Sequence, residues 1–230
     1  MNARTIIVLM VLFLIPALCI VSQAQDAALA TALKTSYAAE AKGDYQAAIK
    51  PLTALGTSAA SSYIAQLRLG WLNYCSKDWQ QSVTFYGNAS QLATFAIEPL
   101  LGLMQAQQAA GKNDDAINTA QIVLRHDPNN YTATSHAAWM LYQKADYKQA
   151  ATMYHKLVNL YPSDTEMLLG LGFALKLAGD KKESMQYFNT VLLLSPNNAR
   201  ALEGLRDNAV EPPSGSKYDP TSGPRTGLPH

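Results

Sequence analysis

Residues 131–164 read YTATSHAAWMLYQKADYKQAATMYHKLVNLYPSD, two short helices and a stop. Ala137, Ala138 and Leu141 recur at helical spacing in the first half, as do Ala150, Tyr154 and Leu157 in the second. The run Lys144-Ala145-Asp146-Tyr147 supplies the turn between them. Pro162 ends the second helix because proline cannot donate the next backbone hydrogen bond. Asp164 then stands where the N-cap of a following helix belongs. The stretch is a helical hairpin with an exit signal.

The same hairpin recurs along the chain. A small or basic residue and a polar one precede each second helix, at Gly43-Asp44-Tyr45, Lys77-Asp78-Trp79, Gly111-Lys112-Asn113, Ala145-Asp146-Tyr147 and Gly179-Asp180-Lys181, always 34 residues apart. The small residues Ala48, Ser82, Ala116, Ala150 and Ser184 keep that interval, and so do Pro128, Pro162 and Pro196. Three independent markers with one period define a repeat protein, with repeats starting near residues 29, 63, 97, 131 and 165 and a remnant from 199. Positions within a repeat are numbered from these starts.

A 34-residue helical hairpin of this kind resembles the tetratricopeptide repeat family. That family favours small or bulky apolar residues at positions 4, 7, 8 and 11, a small residue at 20, an aromatic at 24 and proline at 32. Here position 8 is Gly70, Ala138 and Gly172 in the second, fourth and fifth repeats, and position 24 is Tyr86, Tyr154 and Phe188 in the same three. The turns at Asp127–Asn130, Tyr161–Asp164 and Ser195–Asn198 look like the family's inter-repeat turn. Departures are Ala60 and Thr94 in place of proline and Ala120 at position 24, which bear on helix ends in those repeats.

Physical reasoning reaches the same architecture. Small residues at positions 8 and 20 let the two helices of a hairpin approach closely, and the aromatic at 24 fills the remaining groove. One hairpin cannot bury both faces, so neighbours must stack. The expected fold is all-α, a solenoid of about five hairpins over 25–209 with repeats near 29–62, 63–96, 97–130, 131–164 and 165–198, closed by a capping helix over 199–209.

The ends read differently. Arg4 followed by the apolar run Ile6 to Val21 and by Ser22-Gln23-Ala24 reads as a signal peptide over 1–24, cleaved after Ala24, with Asp26 capping the first mature helix. The alternative is an inner-membrane anchor formed by residues 6–21, although Pro16 interrupts the run. The first reading implies export to the periplasm or secretion, and the second implies contact with the membrane only through an uncleaved segment. Residues 210–230, EPPSGSKYDPTSGPRTGLPH after Val210, are rich in proline, glycine and serine and read as a disordered tail.

With 18 basic and 17 acidic residues the formal charge is +1, which disfavours nucleic acid and strongly anionic membranes as partners. Of two cysteines, Cys19 lies in the leader, so the mature chain keeps Cys75 alone and has no internal disulfide. His126, His136, His155 and His230 form no metal or catalytic pattern and read as polar surface residues. No cofactor, metal or catalytic residue is assigned, and the chain reads as no enzyme.

The resemblance implies that positions 2, 5, 9, 12 and 13 of the first helices line a concave groove. Position 9 holds Tyr37, Trp71, Gln105, Trp139 and Phe173, and position 12 adds Tyr74 and Tyr142. Interleaved with these are Arg68 and Lys176, among other polar residues. Such aromatics either pack neighbouring first helices together or give a partner rigid contact area. The lysine and asparagine clamp by which some family members hold C-terminal carboxylates is absent, the second repeat having Ile64, Leu67, Arg68 and Trp71 there. The expected function is a protein-interaction scaffold of the cell envelope that binds an extended peptide or helix in the groove. A polysaccharide is the alternative ligand, because proteins of this architecture accompany exopolysaccharide export.

Overall fold

The computed structural model describes residues 23–206. They form twelve helices and no strand among the described residues. Helix α1 runs over 23–40. It is followed by α2 (Tyr45–Thr53), α3 (Thr57–Ala60), α4 (Tyr63–Cys75), α5 (Trp79–Leu92) and α6 (Ile97–Ala109). Then come α7 (Asn113–His126), α8 (Tyr131–Gln143), α9 (Tyr147–Leu160), α10 (Thr165–Ala178), α11 (Lys181–Leu194) and α12 (Ala199–Leu205). The chain divides into two compact units, the first reaching Ala106 and the second beginning at Gln107.

Local chemistry sets each boundary. First helices start at Tyr63, Ile97, Tyr131, Thr165 and Ala199, and second helices at Tyr45, Trp79, Asn113, Tyr147 and Lys181, both at intervals of 34. Ser62, Asn130, Asp164 and Asn198 cap first helices by accepting a backbone N–H with the side chain. Asp44, Asp78 and Asp146 do so for second helices. The turn inside each hairpin needs a left-handed residue, at Gly43 (φ 74°), Lys77 (65°), Gly111 (75°), Ala145 (61°) and Gly179 (100°). Glycine adopts that conformation without strain; Lys77 and Ala145 do not.

In the first unit α4 packs on α2, α3 and α5. Ala32, Ala48, Leu52, Leu69 and Leu72 make its core, with Trp71 and Phe85 partly buried against it. In the second unit α7 packs on α8, and each later helix on the next, through to α12. The position-20 residues Ala48, Ser82, Ala116, Ala150 and Ser184 are all buried. The Ser82 hydroxyl donates to the Gly70 carbonyl at 2.8 Å, so a polar atom is tolerated at this close approach because it is satisfied.

Several details differ from the sequence expectations. The missing proline at Thr94 does not move the end of α5, whose capping residue Ala93 (φ −137°) matches Asp127 (−133°), Tyr161 (−132°) and Ser195 (−145°). Ala120 likewise leaves α7 at the same 14 residues as α5, α9 and α11. The first repeat does depart. Pro51 inside α2 removes a backbone donor, the helix stops after nine residues, and Gly56 (φ 56°) redirects the chain into α3. Asp26 lies inside α1 and does not cap it. Helix α12 ends at Leu205, short of 209, because Arg206 is extended (φ −67°, ψ 135°). Residues 1–22 of the expected leader and the expected tail over 210–230 lie outside the described residues.

Candidate functional site

In the first unit the first-helix face carries a joined cluster. Helix α1 contributes Tyr37 and Glu40, and α4 contributes Arg68, Trp71 and Tyr74, because positions 6, 9 and 12 fall on one side of a helix. The Arg68 guanidinium carbon lies 3.7 Å from the centroid of the Tyr37 ring, a cation–π contact. An Arg68 Nη2 proton goes to Glu40 Oε2, and Trp71 Nε1 donates to Glu40 Oε1 at 2.7 Å. Glu40 therefore holds both residues with one carboxylate. Arg68 is only 9% exposed, which strengthens the ion pair relative to a surface one.

Aromatic contacts continue from there. Trp71 and Tyr74 stack with centroids 6.3 Å apart and planes at 16°. The Tyr74 ring then meets Trp79 edge-on at 5.1 Å and 61°. Cys75 adjoins this cluster; burial, with Glu40 nearby, pushes its thiol up to about 11, so it stays protonated and poorly nucleophilic at neutral pH.

The second unit repeats the arrangement two repeats later. Trp139 stacks on Tyr142 at 5.8 Å and 8°, and Tyr142 meets Tyr147 edge-on at 5.5 Å and 66°. Tyr142 is 9% exposed, and among the described residues its hydroxyl finds no hydrogen-bond partner. Burial first, then Tyr147, pushes its ionisation up to about 12, with Arg200 and Glu203 of α12 close enough to act on it.

The remaining expected groove residues have other tasks. Phe173 is buried and packs edge-on against Phe188 at 4.9 Å, so it belongs to the core. Lys176 donates to the carbonyls of Gly204 (2.9 Å) and Arg206 (2.7 Å), fastening the end of α12. Gln105 is half-buried. His136, expected on the surface, is 1% exposed, with Nδ1 2.6 Å from Gln108 Oε1. Glu40 is the residue that sequence reasoning misses: an acid near a helix end looks solvated, and its partners stand 28 and 31 residues away.

Among the described residues no group of three or more His, Cys, Asp or Glu could hold a metal ion. No helix there is long and apolar enough to cross a membrane.

Residues 101–151 and 137–199 match the family described as Tetratricopeptide repeat. The crystal structure of MamA protein is similar with a TM-score of 0.69 at 17% identity, over 80% of this chain and 98% of that one. A tetratricopeptide repeat protein from Parabacteroides merdae ATCC 43184 has a TM-score of 0.69 at 21% identity, over 77% of this chain and 70% of that one. YrrB, described as a TPR protein with an unusual peptide-binding site, has a TM-score of 0.65 at 10% identity, over 75% and 89%. Identities this low establish the fold. In sequence, the chain is 26% identical over 122 residues to Protein CTR9 homolog of Arabidopsis thaliana, 53% of this chain and 11% of that protein.

Proposed function

We propose, from the match of residues 101–199 to the tetratricopeptide repeat family, that the chain is a protein-interaction scaffold of the cell envelope. In this reading the N-terminal segment exports it, and the Trp–Tyr ladders receive an extended segment or helix of a partner protein. The observation that carries the proposal is the ladder itself. Trp71–Tyr74–Trp79 and Trp139–Tyr142–Tyr147 share one geometry, two repeats apart. The repeat between them folds with Gln105, Gln108 and Asn113 at the same positions. Packing of the hairpin therefore does not demand the aromatics.

Stacked indole and phenol rings are rigid and amphipathic, so they bind at low entropic cost. Arg68 is already neutralised by Glu40 and covered by Tyr37, which favours apolar and amide groups over capture of a carboxylate. YrrB, the fold neighbour described as having a peptide-binding site, supports a peptide ligand by analogy. The stacked rings would also suit sugar rings, which keeps a polysaccharide as the second reading.

Affinity capture from envelope extracts tests the proposal. A defined protein retained by the native chain and lost from Trp71→Ala or Trp139→Ala supports it. Glycan binding without a protein partner favours the second reading. Native protein that fractionates with the cytosol and begins at Met1 would remove the envelope assignment.

A further inference from the structure

The chain leaves α12 on the face that carries the second ladder. Lys176 and Tyr142 occupy position 12 of α10 and α8, two first helices in contact with one another. The Lys176 ammonium binds the carbonyls of Gly204 and Arg206, which places the exit of α12 beside that position. Arg206 has φ −67° and ψ 135°, the polyproline II region, so the last described residue is extended.

The C-terminal sequence suits that conformation by composition. Residues 210–230 contain Pro212, Pro213, Pro220, Pro224 and Pro229, with Val210 and Leu228 as the only large aliphatics. Such a sequence cannot build a helix to cover α12, but it can lie along an aromatic groove. Proline-rich segments bind aromatic surfaces that add a side-chain donor for their strong carbonyl acceptors. Trp139 and Tyr142 supply the stacked rings, and the buried Tyr142 hydroxyl supplies a donor with no acceptor among the described residues. At ~3.1 Å per residue, six extended residues reach roughly 19 Å, about two interhelix spacings.

We propose that the proline-rich segment within residues 210–230 docks on the Trp139–Tyr142 ladder of its own chain, as a built-in occupant of the surface offered to the partner. The proposal rests on the ladder being a binding surface. Tethering gives the segment a high effective concentration, so even a weak contact competes with a partner arriving from solution.

The test uses a fluorescent peptide of residues 208–230, titrated onto the intact chain and onto a chain ending at Asp207. Saturable binding to the shortened chain is expected, with the intact chain binding about tenfold more weakly because its own segment competes. Tyr142→Phe removes only the hydroxyl and should weaken peptide binding roughly threefold or more; Trp139→Ala should abolish it. Equal binding to intact and shortened chains, or none to the shortened chain, overturns the proposal. So does concentration-dependent self-association of the intact chain that disappears on shortening, since the segment then serves a second copy. If the peptide fails while partner capture still depends on Trp139, this inference falls and the scaffold reading stands.

Discussion

The Tyr154 ring lies so close to Gly170 that a Cβ on that glycine would come within 2.5 Å of it. Tyr154 is position 24 of one repeat and Gly170 position 6 of the next. The pairing recurs: Tyr86 presses on Gly102, and Phe188 on Gly204. Where position 24 is smaller or aliphatic, the next position 6 is large. Leu52 is followed by Arg68, and Ala120 by His136. One volume is shared between adjacent repeats, filled from either side. This explains why His136 is buried and why Arg68 is held inside the cluster with Glu40.

Gly170→Ala should therefore force the Tyr154 ring aside and destabilise the chain by about 1–3 kcal/mol. Combining it with Tyr154→Leu should cost less than the sum of the two single changes, since both act on one volume. Urea denaturation of the four proteins measures the coupling. Strict additivity would mean that the ring and the glycine do not compete for space.

Ala145 holds the left-handed turn conformation that glycine holds at three equivalent positions. Ala145→Gly should raise stability by about 0.5–1 kcal/mol, the relief of backbone strain exceeding the added freedom of the unfolded chain. The same change at Lys77 should act alike. A lower denaturation midpoint for both would show that the side chains contribute contacts outweighing the strain.

Alkaline pH should weaken the fold. The Tyr63 hydroxyl is pushed from 10.0 up to about 12, by burial first and then by its hydrogen bond to Glu98. Burial also carries Tyr142 up to about 12 and shifts Tyr86 in the same direction. A raised folded-state value means that the native form binds the proton more tightly. The stability it contributes is complete below pH 10 and is lost as pH rises through 12. Denaturation midpoints should thus hold to about pH 10 and then decline, and Tyr63→Phe should make that decline shallower. An unchanged slope would remove Tyr63 as a cause.

Legibility in the sequence depended on the range of each interaction. The 34-residue period, the Asp164 cap and the turn at Ala145 follow from neighbours within a few residues. Those are contacts that a linear pattern records. The stacking of Trp71 on Tyr74 was not anticipated, although their i, i+3 spacing brings the two side chains together. By contrast, Phe173 shares position 9 with Trp71 and Trp139, yet it turns inward onto Phe188. Position alone does not say which aromatic faces out. Lys176 looked like a groove cation, but the unfinished end of α12 offers it bare carbonyls instead. The cluster around Glu40 and the burial of His136 needed the partner across the repeat, which the pattern of one repeat does not contain.

The decisive functional experiment separates a binding surface from a core. Trp71 and Trp139 are half-buried, whereas Tyr154 is 3% exposed and wedged against Gly170. Truncating a buried aromatic costs roughly 3–5 kcal/mol of folding stability, so Tyr154→Ala should fail in the folding assay. A binding-surface aromatic commonly contributes about 2 kcal/mol or more to affinity, more than tenfold in the dissociation constant. Trp71→Ala and Trp139→Ala should accordingly keep most helicity while losing the captured partner. Trp71 also packs partly on the Leu52–Leu69–Leu72 core and donates to Glu40, so its truncation should lower stability more than that of Trp139. Circular dichroism, urea midpoints and partner binding on the same samples decide the matter. If both tryptophan variants unfold like Tyr154→Ala, the ladders are packing; if both fold and still bind, the partner uses another face.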